Sequence, residues 1–155
     1  MVFNDDVLFI HIGKTGGLSC SKYLLLNLKA QVYNCHKTAA REVPGKRAHE
    51  ITALDGIGRH STLDEALTFI GSYNGKKLED FKKVVAVIRH PFTLEYSLYK
   101  HLQKPEVMQQ RGNKIGYRDL TSGDFANFVH KSNYHRQGHP QEKFFLLDGE
   151  LSDRV

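Results

Sequence analysis

Val7-Leu-Phe-Ile-His-Ile12 is a nearly continuous apolar run that stops at Gly13 and is followed by Gly16 and Gly17. Such a run reads as a strand covered on both faces. The glycines turn the chain, and Tyr23, Leu24 and Leu28 then recur at helical spacing over residues 18–29. Strand, glycine turn and helix together open an alternating α/β plan. The plan returns at Val84 to Ile88, five apolar residues of which four are β-branched. Pro91 follows, where a first helical turn does not need the missing N–H. The expected fold is therefore α/β. It is a single domain over residues 1–155, with a mostly parallel central sheet flanked by helices and ligands at the carboxyl ends of its strands.

The intervening chain fits this plan. Gln31 to Cys35 is a candidate second strand, and residues 36–50 form a polar stretch carrying Lys37, Arg41, Lys46 and Arg47. Ser61, with Asp64 three residues on, predicts a capped helix running to Ile70, and Asn74-Gly75 predicts a turn. A helix is expected from Pro91 to Gln103, a long polar loop over Pro105–Leu120, and a helix over Asp124–Lys131. One apolar run, Phe144 to Leu147, marks the tail. There is no internal repeat, low-complexity tract or Gly/Ser linker.

Composition narrows the function classes. The longest apolar run, five residues, is far short of the ~20 that a membrane span needs. Asp5 and Asp6 stand where a secretory leader would be basic and then apolar. Two cysteines are too few for a disulfide scaffold, so the expected compartment is the cytoplasm. The net charge of +5 favours an anionic partner. With no recognition motif and no aromatic-basic interleaving, nucleic acid is not the expected one.

His11-Ile-Gly-Lys-Thr-Gly-Gly-Leu-Ser19 concentrates features of an anion site. Glycines let backbone N–H groups turn inward, the following helix start carries partial positive charge, and Lys14 adds a full one. Thr15 and Ser19 supply hydroxyls. A Walker nucleotide loop needs a glycine five positions before the Gly13-Lys14 pair, and that position is Leu8, inside the strand. The plainer alternative is a tight turn with an incidental lysine. A second constellation places Arg89 at the end of the Val84–Ile88 strand and Ser97 eight residues on, two turns into the next helix. A guanidinium fork and a hydroxyl so placed suit one phosphate.

Together these segments resemble the sulfotransferases that use 3′-phosphoadenosine-5′-phosphosulfate (PAPS), most closely the branch holding the heparan sulfate 2-O-sulfotransferases and short bacterial relatives. Lys14, Thr15, Gly16, Gly17 and Ser19 match that family's 5′-phosphosulfate loop. Arg89, Pro91, Phe92 and Ser97 match its 3′-phosphate segment, and Arg59-His60 to Leu67 is similar to a Lys-His segment between them. Gly13 stands where the family has proline, and Leu18 where it often has threonine. The resemblance spans residues 7–103 well and 144–149 weakly. It implies a P-loop-like sulfotransferase architecture, PAPS as cosubstrate, and a chain that is minimal or C-terminally truncated relative to the family.

Sulfuryl transfer asks for positioning, charge stabilisation and a base for the acceptor proton. The resemblance puts Lys14 against the bridging oxygen. His60 is the candidate base, with His11 next. The cofactor-binding set is Lys14, Thr15, Gly16, Gly17, Ser19, Arg89 and Ser97. His36, His49, His101, His130, His135 and His139 are left unassigned. No metal is expected, because Gly138 and Pro140 break the helix that a His135–His139 pair would need. The acceptor is expected to be a hydroxyl, by resemblance on a carbohydrate. Two rival classes are a non-catalytic domain that grips a nucleotide or sulfated glycan, and a small-molecule kinase. The missing Walker glycine and the lack of an acidic Mg²⁺ site count against the kinase.

Overall fold

The computed structural model describes residues 1–35, 50–111, 123–131 and 141–155. These form two compact units, one of Met1–Ile88 with Gln141–Val155 and one within Arg89–Pro140.

The first unit is built on a five-stranded sheet of β1 (Val2–Phe3), β2 (Val7–Ile10), β3 (Val32–Asn34), β4 (Ile51–Ala53) and β5 (Lys83–Ala86), in the order β4-β3-β1-β2-β5. β2 pairs with β5 and β3 with β4 in parallel, whereas β1 runs antiparallel to both its neighbours. The sheet is thus mixed: four strands share one direction and the central one opposes them. β1 is too short to show alternation, and its signal is the turn behind it. Asn4 Oδ1 accepts from the amides of Asp6 (3.0 Å) and Val7 (2.8 Å), which folds β1 back on β2.

Strand alternation divides the core between the two faces. Phe3, Leu8, Ile10 and Val84 pack with Leu63, Ala66 and Ile70 of helix α2 (Leu63–Asn74). Val2, Phe9 and Val32 pack with Leu25 of helix α1 (Gly17–Asn27). Phe3 and Phe81, edge to face at 6.2 Å, are fully buried, each side chain contributing roughly 2–3 kcal/mol. The α1 stripe facing inward is Gly17, Ser21 and Leu25, while Tyr23 is exposed. Of the residues whose spacing suggested a helix, Leu24 and Leu28 pack against the cluster of Val2, Phe9, Leu25 and Val32, and Tyr23 does not.

β5 differs from expectation. The expected strand runs to Ile88 with Arg89 at its end, but β5 stops pairing at Ala86, two residues short of Ile88, and it is the last strand of the sheet among the described residues, with Val85 40% exposed. The cap of α2 sits one residue later than the Ser61–Asp64 spacing suggests. Thr62 Oγ1 accepts from the Glu65 amide (3.2 Å) and the Thr62 amide donates to Glu65 Oε2 (2.9 Å), a reciprocal capping box. Ser61 Oγ instead donates to the Gly58 carbonyl at 2.9 Å. The helix continues past Ile70 to Asn74 and stops at Gly75, whose φ of 78° is left-handed.

In the tail, a 3-10 turn (Gln141–Phe145) precedes the hairpin of β6 (Leu146–Leu147) and β7 (Glu150–Leu151). Arg154 Nη2 donates to the Phe81 carbonyl at 2.9 Å.

The second unit contains α3 (Pro91–Leu102), α4 (Pro105–Arg111) and α5 (Phe125–Lys131). Tyr99, Leu102, Val107 and Phe128 form its core, and Tyr99 Oη donates to the Gly123 carbonyl at 2.8 Å. α4 replaces the first half of the expected polar loop. Pro105 supplies its first turn, the Lys104 carbonyl accepts from Val107 (3.0 Å) and Met108 (2.9 Å), and one buried residue, Val107, is enough to seat it. The polar stretch at 36–49, residues 112–120, and His135 and His139 lie outside the described residues.

Thr62→Ala should cost about 1 kcal/mol in urea unfolding, with Thr62→Ser close to wild type. Equal stability of all three proteins would remove the capping box from the forces holding α2.

Candidate functional site

β2 stops pairing at Ile10 although the apolar run continues to Ile12, because side chains take over the next carbonyls. His60 Nδ1 lies 3.0 Å from the His11 oxygen, and Thr15 Oγ1 donates to the Ile12 oxygen at 2.9 Å. His11 and Ile12 are both buried. The chain then reverses through two left-handed residues, Lys14 (φ 64°) and Gly16 (φ 90°). Glycine adopts that conformation freely, but in lysine it costs about 1 kcal/mol, so the surrounding bonds fix the loop against local preference. Gly16 caps α1 without a side chain, and the Cys20 amide returns to its carbonyl at 3.2 Å. The amides of Gly17, Leu18 and Ser19 precede the first intrahelical bond and carry the partial positive charge of the helix start. Ser19 is exposed and Lys14 half-buried, whereas the Thr15 hydroxyl hydrogen is spent closing the loop.

Gly17 is fixed by a close approach. A Cβ at that position would overlap the ring of His11. His11 also lies edge to face with His60, ring centroids 4.7 Å apart, and a Cβ on Gly13 would stand 3.6 Å from His60 Cε1. The structure therefore brings His60 against the loop that carries Lys14, Thr15, Gly16, Gly17 and Ser19.

The bonds of His60 define its tautomer. Nδ1 faces a carbonyl, which only accepts, so Nδ1 bears the hydrogen. Nε2 faces Arg59 Nε–H at 3.0 Å and accepts from it. The imidazole is neutral, with its basic lone pair on Nε2, the arrangement a general base needs once Arg59 swings away. Both side chains are exposed.

The loop before His60 is anchored from beneath. The Met1 amine donates to the Arg59 carbonyl (3.0 Å) and to Cys35 Sγ (2.8 Å), and Cys35 Sγ donates to the Met1 carbonyl (3.0 Å). Burial pushes the amine below its ordinary value of 8.0, against an opposing pull from Cys35. Sequence reasoning missed Cys35 and Arg59 as supports of His60. Arg59 had a signal in its adjacency to His60, but Cys35 had none.

Arg89 and Ser97 belong to the second unit. Arg89 precedes α3, its Nε donating to Thr93 Oγ1 at 3.2 Å, and Thr93 Oγ1 donates to the His90 carbonyl at 2.9 Å. Ser97 is half-buried in the middle of α3. Thr93 is thus a support for Arg89 that the motif spacing does not reveal. From His60 a groove of about 920 Å³ runs along the outer face of α2, past Asp64, Glu65, Thr68, Phe69 and Ser72. Among the described residues no group of three His, Cys, Asp or Glu could hold a metal, and no helix is long and apolar enough to cross a membrane. The chain matches no family model, no curated protein and no solved structure.

Two outcomes follow from this geometry. Gly17→Ala should destabilise the protein by roughly 1–3 kcal/mol, and adding His11→Ala should restore part of the loss, because the two groups compete for one space. Equal costs with and without the His11 ring would mean the contact is not what requires glycine. Titration of ¹⁵N-labelled Met1 should give an amine midpoint below 8.0. Below 8.0 the unfolded chain binds a proton that the folded one resists. This contribution to stability is therefore complete above 8.0 and is lost as pH falls through the folded midpoint. A midpoint at or above 8.0 would contradict the burial argument.

Proposed function

We propose that the chain is a sulfotransferase that moves a sulfuryl group from PAPS to an acceptor hydroxyl, on a carbohydrate, in the cytoplasm, on a P-loop-like sulfotransferase architecture. The observation that carries this reading is the seat of His60. Its ring is held by the carbonyl of His11, at the entrance to the glycine-rich loop, with Nε2 basic. A phosphate-type loop with a neutral histidine at its mouth suits in-line transfer to a hydroxyl better than it suits simple anion storage.

In the proposed reaction the acceptor oxygen attacks sulfur and its proton passes to His60 Nε2. The bond from sulfur to the bridging oxygen breaks, and 3′,5′-ADP leaves with its new charge met by Lys14 and the α1 amides. Thr15, Gly16 and Gly17 shape the loop, and Ser19 offers a hydroxyl to the phosphosulfate. Arg89 and Ser97 are the proposed hold on the 3′-phosphate, with Thr93 keeping the guanidinium in place. A module that binds the nucleotide without transfer is the second reading. It is favoured by the Arg59 bond, which occupies the lone pair that a base must have free.

The reading predicts that 3′,5′-ADP without Mg²⁺ raises Tm by about 5–10 °C at a hundredfold excess over Kd. Lys14→Ala and Arg89→Ala should each reduce the shift. Stabilisation by ATP with Mg²⁺ but not by the bisphosphate would sink the proposal in favour of a kinase. His60→Ala should keep the Tm shift while lowering transfer by about 10²- to 10⁴-fold. Bisphosphate binding without transfer by the wild-type chain would select the binding module.

A further inference from the structure

The linear sequence shows no interleaving of aromatic and basic residues, but helix α3 creates one. Phe92, Tyr96 and Lys100 are spaced i, i+4, i+8 and so form one stripe along it, and Arg89, tied to Thr93, stands just before it. Phe92 is 64% and Tyr96 45% exposed. Both rings are nevertheless braced. Phe125 of α5 meets each of them edge to face, with centroids 5.4 and 5.3 Å away and planes 90° and 88° apart. Lys100 holds its ammonium 5.8 Å from the Tyr96 centroid and 5.9 Å from that of Tyr99, and no carboxylate bonds it among the described residues. A cation is thus already seated against the stripe. Of the carboxylates near it, Glu95 is buried on the inner side of α3, and Asp124 accepts from the Asn127 amide at 2.8 Å. The second unit as a whole is the basic one. Residues 89–140 hold eight Lys and Arg and four Asp and Glu, and so carry four of the chain's five net positive charges in a third of its length.

We propose that this stripe is a binding surface for single-stranded nucleic acid, with bases stacked on Phe92 and Tyr96 and backbone phosphates beside Lys100. Every base has a π face, so stacking asks only for an open ring, while the ammonium meets the phosphate charge. The two ring positions are four residues apart, about 6 Å along the helix axis. Successive bases in a duplex lie only about 3.4 Å apart and cover one another's faces, so bases that occupy both rings are unstacked from each other. That geometry favours a single strand over a duplex. An acidic glycan would meet the same positive charge. Its pyranose hydroxyls, however, need partners at the ring edges, where Thr93 has its hydroxyl hydrogen committed to the His90 carbonyl at 2.9 Å. The surface uses neither the glycine-rich loop nor His60, so it stands independently of sulfate transfer.

The test is fluorescence anisotropy of a fluorescein-labelled dodecameric oligo(dT) with the full chain at one fixed salt concentration. Unlabelled oligo(dT), a duplex of the same length and a heparin fragment of matched charge serve in turn as competitors. The single strand should compete best. Phe92→Leu and Tyr96→Leu should each weaken oligo(dT) about five- to tenfold and leave the salt dependence unchanged, because they remove stacking but no charge. Phe92→Tyr keeps an aromatic face and should retain binding. Lys100→Gln should instead lower the slope of log K against log salt by about 0.7. Both rings are exposed and leucine keeps an apolar contact with Phe125, so the fold is retained, which an unchanged Tm confirms. No binding of the strand, or an affinity indifferent to both leucine substitutions, would overturn the proposal. So would stronger competition by the duplex or by heparin, and the heparin result would assign the stripe to an acidic glycan.

Discussion

The ring of His11 lies where any side chain at position 17 would have to be. That close approach sets how near α1 can start to the end of β2, and so the tightness of the loop between them. The same residue offers its carbonyl to His60, which fixes the loop before α2. One buried histidine therefore connects a strand end, a helix start and a second loop. Lys14 can be held at positive φ because the elements on either side of it are already tied. Without that tie, the left-handed lysine and the closed Thr15 hydroxyl would be expected to relax into an ordinary, looser turn.

The α/β plan was legible because it rests on long-lived signals: two apolar runs, a glycine cluster and a proline at a first helical turn. Elements that depend on two or three residues were not. β1 and β4 bury their places in the sheet through hydrogen bonds to strands distant in sequence, and periodicity has no purchase on such short segments. α4 was hidden by its polar composition, since one buried valine and the Lys104 carbonyl suffice to seat it. β5 shows what a run of apolar residues does not report. A β-branched run reports strand preference, but whether the strand is central or marginal depends on neighbours the run does not encode.

The candidate site divides along the same line. The loop residues were singled out by local pattern and His60 by a helix start and a resemblance, and the structure sets them together within one unit. Cys35, Arg59 and the Met1 amine act through contacts between residues 34 and 58 positions apart, and Arg59 also through an Nε–H that only a bare His60 Nε2 can accept. Sequence spacing carries residue types to the neighbourhood of a site. Which hydrogen points where is decided by carbonyls that only the fold supplies, as His11 and Ile12 do here.

The mixed sheet has a mechanical consequence. Among the described residues its two parallel ribbons, β2 with β5 and β3 with β4, share no ladder with each other, and within the sheet they are joined through the two residues of β1. Within the sheet, strain that separates the ribbons is carried by Val2 and Phe3, and outside it by the bond between His60 Nδ1 and the His11 carbonyl. One ribbon leads into the glycine-rich loop, and the other leads towards the segment bearing His60. The spacing between the glycine-rich loop and His60 is thus set twice, once by the narrowest joint in the sheet and once by the bond from His60 to the His11 carbonyl.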